Sequence, residues 1–258
     1  MNSDMMKAAA ADLFRSLRER TPIAPLTETY PGMTVGDAYA IQMENVRRSL
    51  AEGEKISGKK IGLTSPGIQK QLGVREPDYG HLFQSMECAL DVPAEALLQP
   101  KIEAEIAFVL KEDLGGQVTP EDVRRATDYV VCAFEIVDSR VENWRIKLPD
   151  TVADNASSGR YVLGASRVPI AELDLSGIEM RMFKEGEGLI GQGSGAAVLG
   201  DPCRSVAWLA NCLAQYGVLL RKGEIILSGA FSAAPAAKKG DQFRAEFTAL
   251  GSVEARFI

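Results

Sequence analysis

Several residue types are scarce in this sequence of 258 residues, and each shortage excludes a class of site. His81 is the only histidine, which excludes every metal site that needs two imidazole ligands and disfavours a catalytic triad built on histidine. The four cysteines form no CxxC pair, and we interpret them as small buried residues, not as disulfides or zinc ligands.

Long apolar runs and phosphate-binding motifs are missing as well. No apolar run approaches the roughly 18 residues of a membrane span. The N-terminus lacks the apolar core of a signal peptide, so we expect a cytoplasmic protein with no membrane partner. The glycine-rich stretch 191–195 does not meet the GxGxxG spacing and no helix directly follows it, no P-loop occurs, and there is no GxSxG elbow. A formal net charge of −6 argues against nucleic acid as a partner.

The composition, 46% hydrophobic and 25% charged, is typical of a soluble globular protein. Apolar residues such as Leu13 and Leu17 recur at helical spacing near the N-terminus, and Thr34 is placed to cap a second helix. After Lys55 the chain changes to short runs rich in Val, Ile and Gly. These patterns predict an α+β protein with a helical N-terminal region (1–55) and a β-rich catalytic domain (56–258).

The segment Lys101–Leu110 predicts a strand with two carboxylates on one face. Strand alternation sends Glu103 and Glu105 to the same side, and both faces become apolar within a few residues. Glu135 interrupts a second apolar strand, Tyr129–Val137, where an isolated carboxylate must be neutral, paired or bound to metal. Three carboxylates on two strands would suit a hard cation such as Mg²⁺ or Mn²⁺.

Two alternatives to this metal site remain open on the sequence. The glutamates could instead form salt bridges with lysine or arginine at a strand end. Asp138 competes with Glu135 as the third ligand, although it follows the apolar run and could pair with Arg140.

Lys60 is the candidate catalytic cation. It shares a strand face with Gly62 and Thr64, and a glycine beside a lysine leaves room for a ligand. The alternative is that Lys59 and Lys60 are simply two solvated lysines.

Three further polar residues have ordinary structural interpretations. Asp78 lies in a predicted turn preset by Pro77, where a hydrogen-bonded turn residue is common. His81 is predicted to lie in a loop. Ser157 is most simply a member of a hydrogen-bonded turn in a polar loop over residues 149–158.

Taken together, several segments resemble the 2-keto-4-pentenoate hydratases, which with the 4-oxalocrotonate decarboxylases belong to the fumarylacetoacetate hydrolase superfamily. The similarity runs from about residue 10 to the C-terminus. It is carried by GKKIGLTS (58–65), EPDYG (76–80), QPKIEAEIAFVL (99–110), FEIVDSR (134–140), DTVADNASSG (150–159), GSGAAVLG (193–200), LSGAF (227–231) and KKGD (238–241).

The resemblance implies a mixed β-roll or sandwich body behind the helical N-terminal region. It also implies a divalent metal, Mg²⁺ or Mn²⁺, and a homo-oligomer, a pentamer or decamer. A pathway enzyme is a possible further partner. The residues that it implicates are the metal ligands Glu103, Glu105 and Glu135, the active-site lysine Lys60, the acid/base Asp78 and the substrate-binding Leu63, Thr64, Ser157 and Ser228.

The activity implied is the addition of water to 2-hydroxypenta-2,4-dienoate, or a close analogue, in aromatic meta-cleavage catabolism. The alternative is 4-oxalocrotonate decarboxylase of the same pathway. Asp78 favours the hydratase, because hydration needs a group that activates water and the decarboxylases carry an apolar residue there. Ser158, in place of a cysteine frequent in hydratases, and the segment 138–144 favour the decarboxylase slightly. The absence of arginine from residues 231–237 favours a short uncharged substrate tail.

Overall fold

Three helices precede the first strand in this computed structural model, which describes residues 1–171 and 173–258. The helices of the described part are α1 (Ser3–Glu19), α2 (Leu26–Thr29), α3 (Val35–Ala51), α4 (Pro66–Leu72), α5 (Pro120–Ala126), α6 (Leu148–Ala153) and α7 (Pro202–Ala214). The strands are β1 (Ile56–Gly62), β2 (Asp78–Phe83), β3 (Glu87–Cys88), β4 (Asp91–Val92), β5 (Lys101–Leu110), β6 (Thr127–Val137), β7 (Ser158–Leu163), β8 (Glu179–Lys184), β9 (Gly188–Ser194), β10 (Ile225–Leu227), β11 (Gln242–Phe247) and β12 (Gly251–Phe257). Helices and mixed sheets together confirm the predicted α+β class.

The N-terminal helices are fixed by local caps and by a shared core. Thr34 caps α3 in a capping box: its hydroxyl accepts from the amide of Asp37, whose carboxylate accepts from the amide of Thr34. Leu13 of α1 and Ile41 of α3 are buried together with Val152 of α6. The helical region is therefore packed directly on a helix of the β-rich part. None of the described helices has the length and apolar character required to cross a bilayer.

Two sheets form the body of the protein. The larger sheet has the strand order β2-β1-β10-β5-β6-β7-β3, and the smaller has the order β4-β12-β11-β8-β9. Most neighbouring strands are antiparallel, but β1 pairs with β10, β3 with β7 and β4 with β12 in parallel. Strands β5 and β6, the longest pair, run antiparallel through the larger sheet.

Alternation along β5 separates the core from the polar face. Ile102, Ile106 and Phe108 lie in the main hydrophobic cluster, which also contains Met182 and Phe243 of the smaller sheet. The side chains of the odd-numbered residues of β5, including Glu103 and Glu105, extend from the opposite face. The larger sheet thus buries apolar side chains between the sheets. Its other face carries the glutamates beside a smaller buried apolar cluster that includes Ala107 and Tyr161.

Two local predictions were wrong because tertiary contacts override turn propensity. Residues 78–83 form β2 and not a turn followed by a loop: the strand pairs antiparallel with β1, and Tyr79 stacks on Tyr39 with ring centroids 4.7 Å apart. The predicted polar loop over 149–158 contains helix α6, whose first turn is capped by the Asp150 carboxylate accepting from the amide of Lys147 at 2.9 Å.

His81 is consequently a buried strand residue. Its Nδ1 lies 3.2 Å from Oε1 of Gln42, and only 5% of the residue is exposed. Burial, with a smaller contribution from the charge of Lys59, lowers the pKa of His81 from 6.5 to about 3. The imidazole is therefore neutral in the folded protein over the ordinary pH range.

We expect the native protein to lose stability relative to the His81→Asn variant as the pH falls from 6 to 5. The folded-state pKa lies below the unfolded value, so the unfolded chain binds the additional proton in this interval. Linkage then gives a differential loss of about 1 kcal/mol. Urea unfolding of both proteins at pH 7, 6 and 5 measures it. Parallel pH dependences would mean that folded His81 accepts a proton.

Candidate active site

Three glutamates converge on the polar face of the larger sheet. Glu103 and Glu105 leave β5 on the same side, and Glu103 stands directly opposite Glu135 in the antiparallel register of β5 and β6. One carboxylate oxygen from each residue lies within 4.8 Å of the other two. The sheet register thus brings together the three ligands predicted from the sequence.

This arrangement is electrostatically costly without a cation. Burial raises the pKa of all three carboxyl groups, and the neighbouring carboxylates Glu135 and Glu103 raise that of Glu105 further. Glu105 Oε2 accepts a hydrogen bond of 2.9 Å from the amide of Gly229. Glu105 Oε1 and Glu135 Oε2 are buried without a hydrogen-bond partner among the described residues. Such orphaned anionic oxygens fit a hard divalent cation.

Salt bridges do not replace that cation. Lys60 Nζ lies 3.2 Å from Oε1 of Glu135 and donates to the carbonyl of Ala156 at 3.1 Å. Burial disfavours the Lys60 ammonium, but the carboxylates, Glu135 foremost, outweigh this effect and raise its pKa. Within the described ranges, Glu103 and Glu105 have no ion pair within 4.0 Å. Lys60 is therefore the ammonium that is paired with the cluster, and Lys101 acts on Glu103 from a greater distance, so the three carboxylates keep an excess of negative charge.

Asp138 lies outside this cluster, and it interacts with Arg140 electrostatically without forming a direct salt bridge. Its carboxylate accepts from the amides of Leu98 at 3.0 Å and Gln99 at 2.6 Å. The Arg140 guanidinium pairs with Asp154 and donates to the backbone carbonyl of Asp138, not to its side chain. Asp138 fixes the start of β5 relative to the loop after β6.

Asp78 and Lys60 approach each other across Gly62. A Cβ at Gly62 would lie 2.3 Å from Oδ1 of Asp78 and 3.2 Å from Nζ of Lys60, so only glycine fits between them. Asp78 is 1% exposed, and its Oδ2 accepts a long 3.4 Å hydrogen bond from Thr151 Oγ1. Burial raises the pKa of Asp78, and Lys60 opposes part of that increase. The carboxyl is thus biased toward its protonated form beside a permanent cation.

A left-handed turn supplies the carbonyl that holds Lys60. Asn155, Ala156 and Ser157 have φ angles of 54°, 50° and 54°, a conformation that residues with a Cβ rarely adopt. Three consecutive residues of this kind direct the Ala156 carbonyl at Lys60 and place Ser157 Oγ 3.5 Å from Thr151 Oγ1. Backbone strain of this kind is usually kept where it serves a function.

A cavity of about 610 Å³ is bordered by Lys60, Asp78 and Glu103, whereas Glu105 and Glu135 are not among its described wall residues. Its walls include Lys60, Leu63, Thr64, Asp78, Glu103 and Ser157, which the sequence had predicted as site residues. Ser228 is not in the wall formed by the described residues. Its hydroxyl donates to the carbonyl of Ile106 at 2.9 Å, and its own carbonyl accepts from Ser205 Oγ at 2.7 Å. The next residue, Gly229, does contribute to the site, because its amide donates a hydrogen bond to the carboxylate of Glu105.

The lining residues that were not identified from the sequence include Lys101, Trp144 and Thr151. Lys101 could have been found, since strand alternation puts it on the face of Glu103. Trp144 and Thr151 had no such signal, because the fold of the segment after β6 brings them to the cavity.

Comparison with known proteins agrees with this geometry. Residues 62–258 match the family described as fumarylacetoacetate (FAA) hydrolase, C-terminal. The chain is 48% identical to 2-keto-4-pentenoate hydratase of Paraburkholderia xenovorans (strain LB400), over 100% of this chain and 96% of the relative. It is 46% identical to 2-hydroxyhexa-2,4-dienoate hydratase of Comamonas testosteroni, over 95% and 94% of the two chains.

Among solved structures, the chain is similar to 4-oxalocrotonate decarboxylase from Pseudomonas putida G7. The form complexed with magnesium and adipate has a TM-score of 0.96 and 40% identity, covering 100% of this chain and 99% of that one. The form complexed with calcium and acetate has a TM-score of 0.94 and 39% identity, with the same coverage. The resemblance inferred from the sequence motifs is thereby confirmed, and the chain belongs to the fumarylacetoacetate hydrolase family, alongside the 2-keto-4-pentenoate hydratases.

Proposed function

We propose that this protein is a metal-dependent hydratase that adds water to 2-hydroxypenta-2,4-dienoate, or a close analogue, to give a 4-hydroxy-2-oxo acid. The observation that carries this assignment is Asp78, a buried carboxyl of raised pKa that faces Lys60 across Gly62 in the wall of the cavity. The hydratase names of relatives that are 46% and 48% identical over nearly the whole chain support the same activity. The protein would then act in the catabolism of aromatic compounds.

Glu103, Glu105 and Glu135 are the residues that would hold the metal. The unpartnered oxygens of Glu105 and Glu135 favour a small hard cation, and we propose Mg²⁺, with Mn²⁺ as an alternative. When bound, the cation supplies a Lewis acid that stabilises negative charge on the C2 oxygen of a 2-oxo acid. Thr64 and Leu63, on the chain leaving β1, and Ser157 would contact the substrate from the cavity wall.

Lys60 adds a fixed positive charge to the site. It is held by the Ala156 carbonyl and Glu135, so its ammonium needs no reorganisation when the substrate becomes an enolate. We propose that Lys60 stabilises that enolate electrostatically. The neighbouring carboxylates, Glu135 foremost, raise its pKa against the effect of burial and so favour the ammonium form.

Asp78 is proposed to move the protons. The dienol loses its hydroxyl proton and gains one at C5, which gives an α,β-unsaturated ketone whose C4 is electrophilic. Water then adds its oxygen to C4 while a proton is delivered to C3. A carboxyl whose pKa is raised by burial can alternate between donor and acceptor in these steps. Thr151, which donates to Asp78 Oδ2, would orient it.

Decarboxylation of 4-oxalocrotonate is the second candidate, favoured by the similarity to the Pseudomonas putida G7 decarboxylase over the full chain. Both reactions pass through an enolate of a 2-oxo acid, so the carboxylate cluster and Lys60 serve either one. Asp78 separates them in favour of hydration, since decarboxylation releases CO₂ without a water molecule that needs activation.

The two activities can be distinguished directly. We expect the Mg²⁺-loaded protein to remove the absorbance of 2-hydroxypenta-2,4-dienoate with formation of 4-hydroxy-2-oxopentanoate. With 4-oxalocrotonate we expect little CO₂. Absorbance and CO₂ release measured on both substrates decide the matter. Rapid CO₂ release from 4-oxalocrotonate, with an inert dienoate, would assign the protein to the decarboxylases.

Asp78→Asn should reduce kcat for hydration by at least about 100-fold, because general acid–base catalysis typically contributes a factor of 10² or more. The change removes proton transfer while keeping the size of the side chain. Steady-state kinetics with the dienoate measure the loss. The matched control is Asp128→Asn, which alters an exposed aspartate and should leave kcat unchanged. Normal turnover by Asp78→Asn would eliminate Asp78 as the proton carrier.

Mg²⁺ should raise the melting temperature of the protein by roughly 5–10 °C at 100 times its Kd, by mass action on the folded state. Glu105→Gln should abolish this response. In the absence of metal at pH 8, however, the variant should melt higher than the native protein, because one buried like charge is gone. Scanning calorimetry with and without Mg²⁺ measures both effects.

Glu112→Gln, which changes an exposed glutamate, is the control for that experiment and should respond to Mg²⁺ like the native protein. An undiminished Mg²⁺ response in Glu105→Gln would show that the cation binds elsewhere.

A further inference from the structure

A second cation lies at the cavity beside the carboxylate cluster. Lys101 is the first residue of β5, and its side chain extends from the same face of the strand as that of Glu103, two residues further on. Its Nζ lies 4.2 Å from the centroid of the Trp144 indole ring, a cation–π contact. Both side chains line the cavity and are half-buried. The ammonium is therefore positioned on an aromatic ring at the edge of the site.

The loop that carries Trp144 is constrained to present it. Asn143 and Trp144 have φ angles of 56° and 54°, so two consecutive residues occupy the left-handed region. Gln99 holds both: its Oε1 accepts from the amide of Asn143 at 2.6 Å, and its carbonyl accepts from Trp144 Nε1 at 3.0 Å. A strained backbone fixed by several hydrogen bonds is characteristic of functional positions.

Lys101 lacks the anionic partner that neighbouring lysines have. Lys59 pairs with Glu224 at 2.7 Å, and Lys60 pairs with Glu135 at 3.2 Å. Among the described residues, none provides a carboxylate oxygen within 4.0 Å of Lys101 Nζ. Lys60 and Lys101 are also the only lysines or arginines in the described cavity wall. Glu103 attracts this ammonium from beyond ion-pair distance, and the ammonium can still bind an anion that enters from solvent.

We propose that Lys101, positioned by Trp144, binds the C1 carboxylate of the substrate and so selects 2-oxo acids. This inference rests on the proposed function. The Cα atoms of residues two apart on one strand face are about 7 Å apart. A lysine side chain spans that distance, so Lys101 can bind an anion that lies next to Glu103.

The rest of the cavity supports assignment to the C1 group and not to a distal carboxylate. The segment around Phe231, Ala233 and Ala234 lines the wall without a cation. A second carboxylate at the substrate tail would therefore be desolvated there without a partner, which is unfavourable. The site is built for one carboxylate and an uncharged tail.

Binding of a substrate analogue that cannot be hydrated tests this role. The probes are 2-oxopentanoate and the dicarboxylate 2-oxoadipate, titrated calorimetrically into Mg²⁺-loaded protein. Mg²⁺ affinity is measured first for each variant, so that every titration is done at saturating metal. Lys101→Met should weaken the binding of both acids about tenfold and by equal factors, whereas Lys101→Arg should stay within threefold of the native protein. Lys111→Met, which removes an exposed lysine just after β5, should change neither affinity.

Trp144 provides an independent readout of positioning. Trp144→Phe keeps an aromatic face for the ammonium and should preserve most of the affinity, while Trp144→Ala should approach the loss seen in Lys101→Met. In the native protein, affinity for 2-oxopentanoate should fall with ionic strength, and Lys101→Met should flatten this dependence.

Two results would overturn the assignment. Unchanged affinity for 2-oxopentanoate in Lys101→Met would remove Lys101 from substrate binding, and a loss confined to 2-oxoadipate would assign it to a distal carboxylate. Neither depends on turnover. A protein that binds 2-oxopentanoate through Lys101 but fails to hydrate the dienoate would refute the proposed hydratase activity and leave this inference standing.

Discussion

The repulsion among three buried carboxylates is the constraint on which the rest of the site depends. Glu103, Glu105 and Glu135 are forced together by the antiparallel register of β5 and β6, and that register is fixed by apolar side chains on the other face of the same strands. Slipping either strand by one residue would send its glutamates into the core between the sheets. The hydrophobic core therefore enforces a polar arrangement that would not assemble by itself.

Groups on the surrounding elements reduce part of that repulsion. Gly229 donates one hydrogen bond to Glu105, and Lys60 contributes one positive charge beside Glu135. The position of Lys60 requires two local features. Ala156 adopts an unfavourable left-handed conformation, and position 62 is a glycine because a larger side chain would not fit. These groups neutralise only part of the charge, and the remainder leaves a cavity with affinity for a divalent cation.

The parts of this site that follow from local periodicity could be predicted from the sequence. Alternation along β5 identified Glu103 and Glu105, and the isolation of Glu135 in an apolar run identified the third carboxylate. Local periodicity could not predict the partners of Asp138 or the strand β2. The carboxylate of Asp138 is taken by amides 39 and 40 residues earlier in the chain, and residues 78–83 are extended because β1 and Tyr39 provide partners. Such contacts depend on the folded chain.

The site contains groups that would serve both hydration and decarboxylation. A carboxylate cluster with a fixed ammonium stabilises the enolate of any 2-oxo acid, so it cannot by itself decide between adding water and releasing CO₂. In the proposed mechanism that choice falls to Asp78, a carboxyl whose burial raises its pKa. Because Asp78 opens β2 and packs against Gly62 of β1, its protonation behaviour depends on how those two strands pair. In the proposed mechanism, reaction type would thus be determined at the edge of the sheet, and affinity for the 2-oxo acid at its centre.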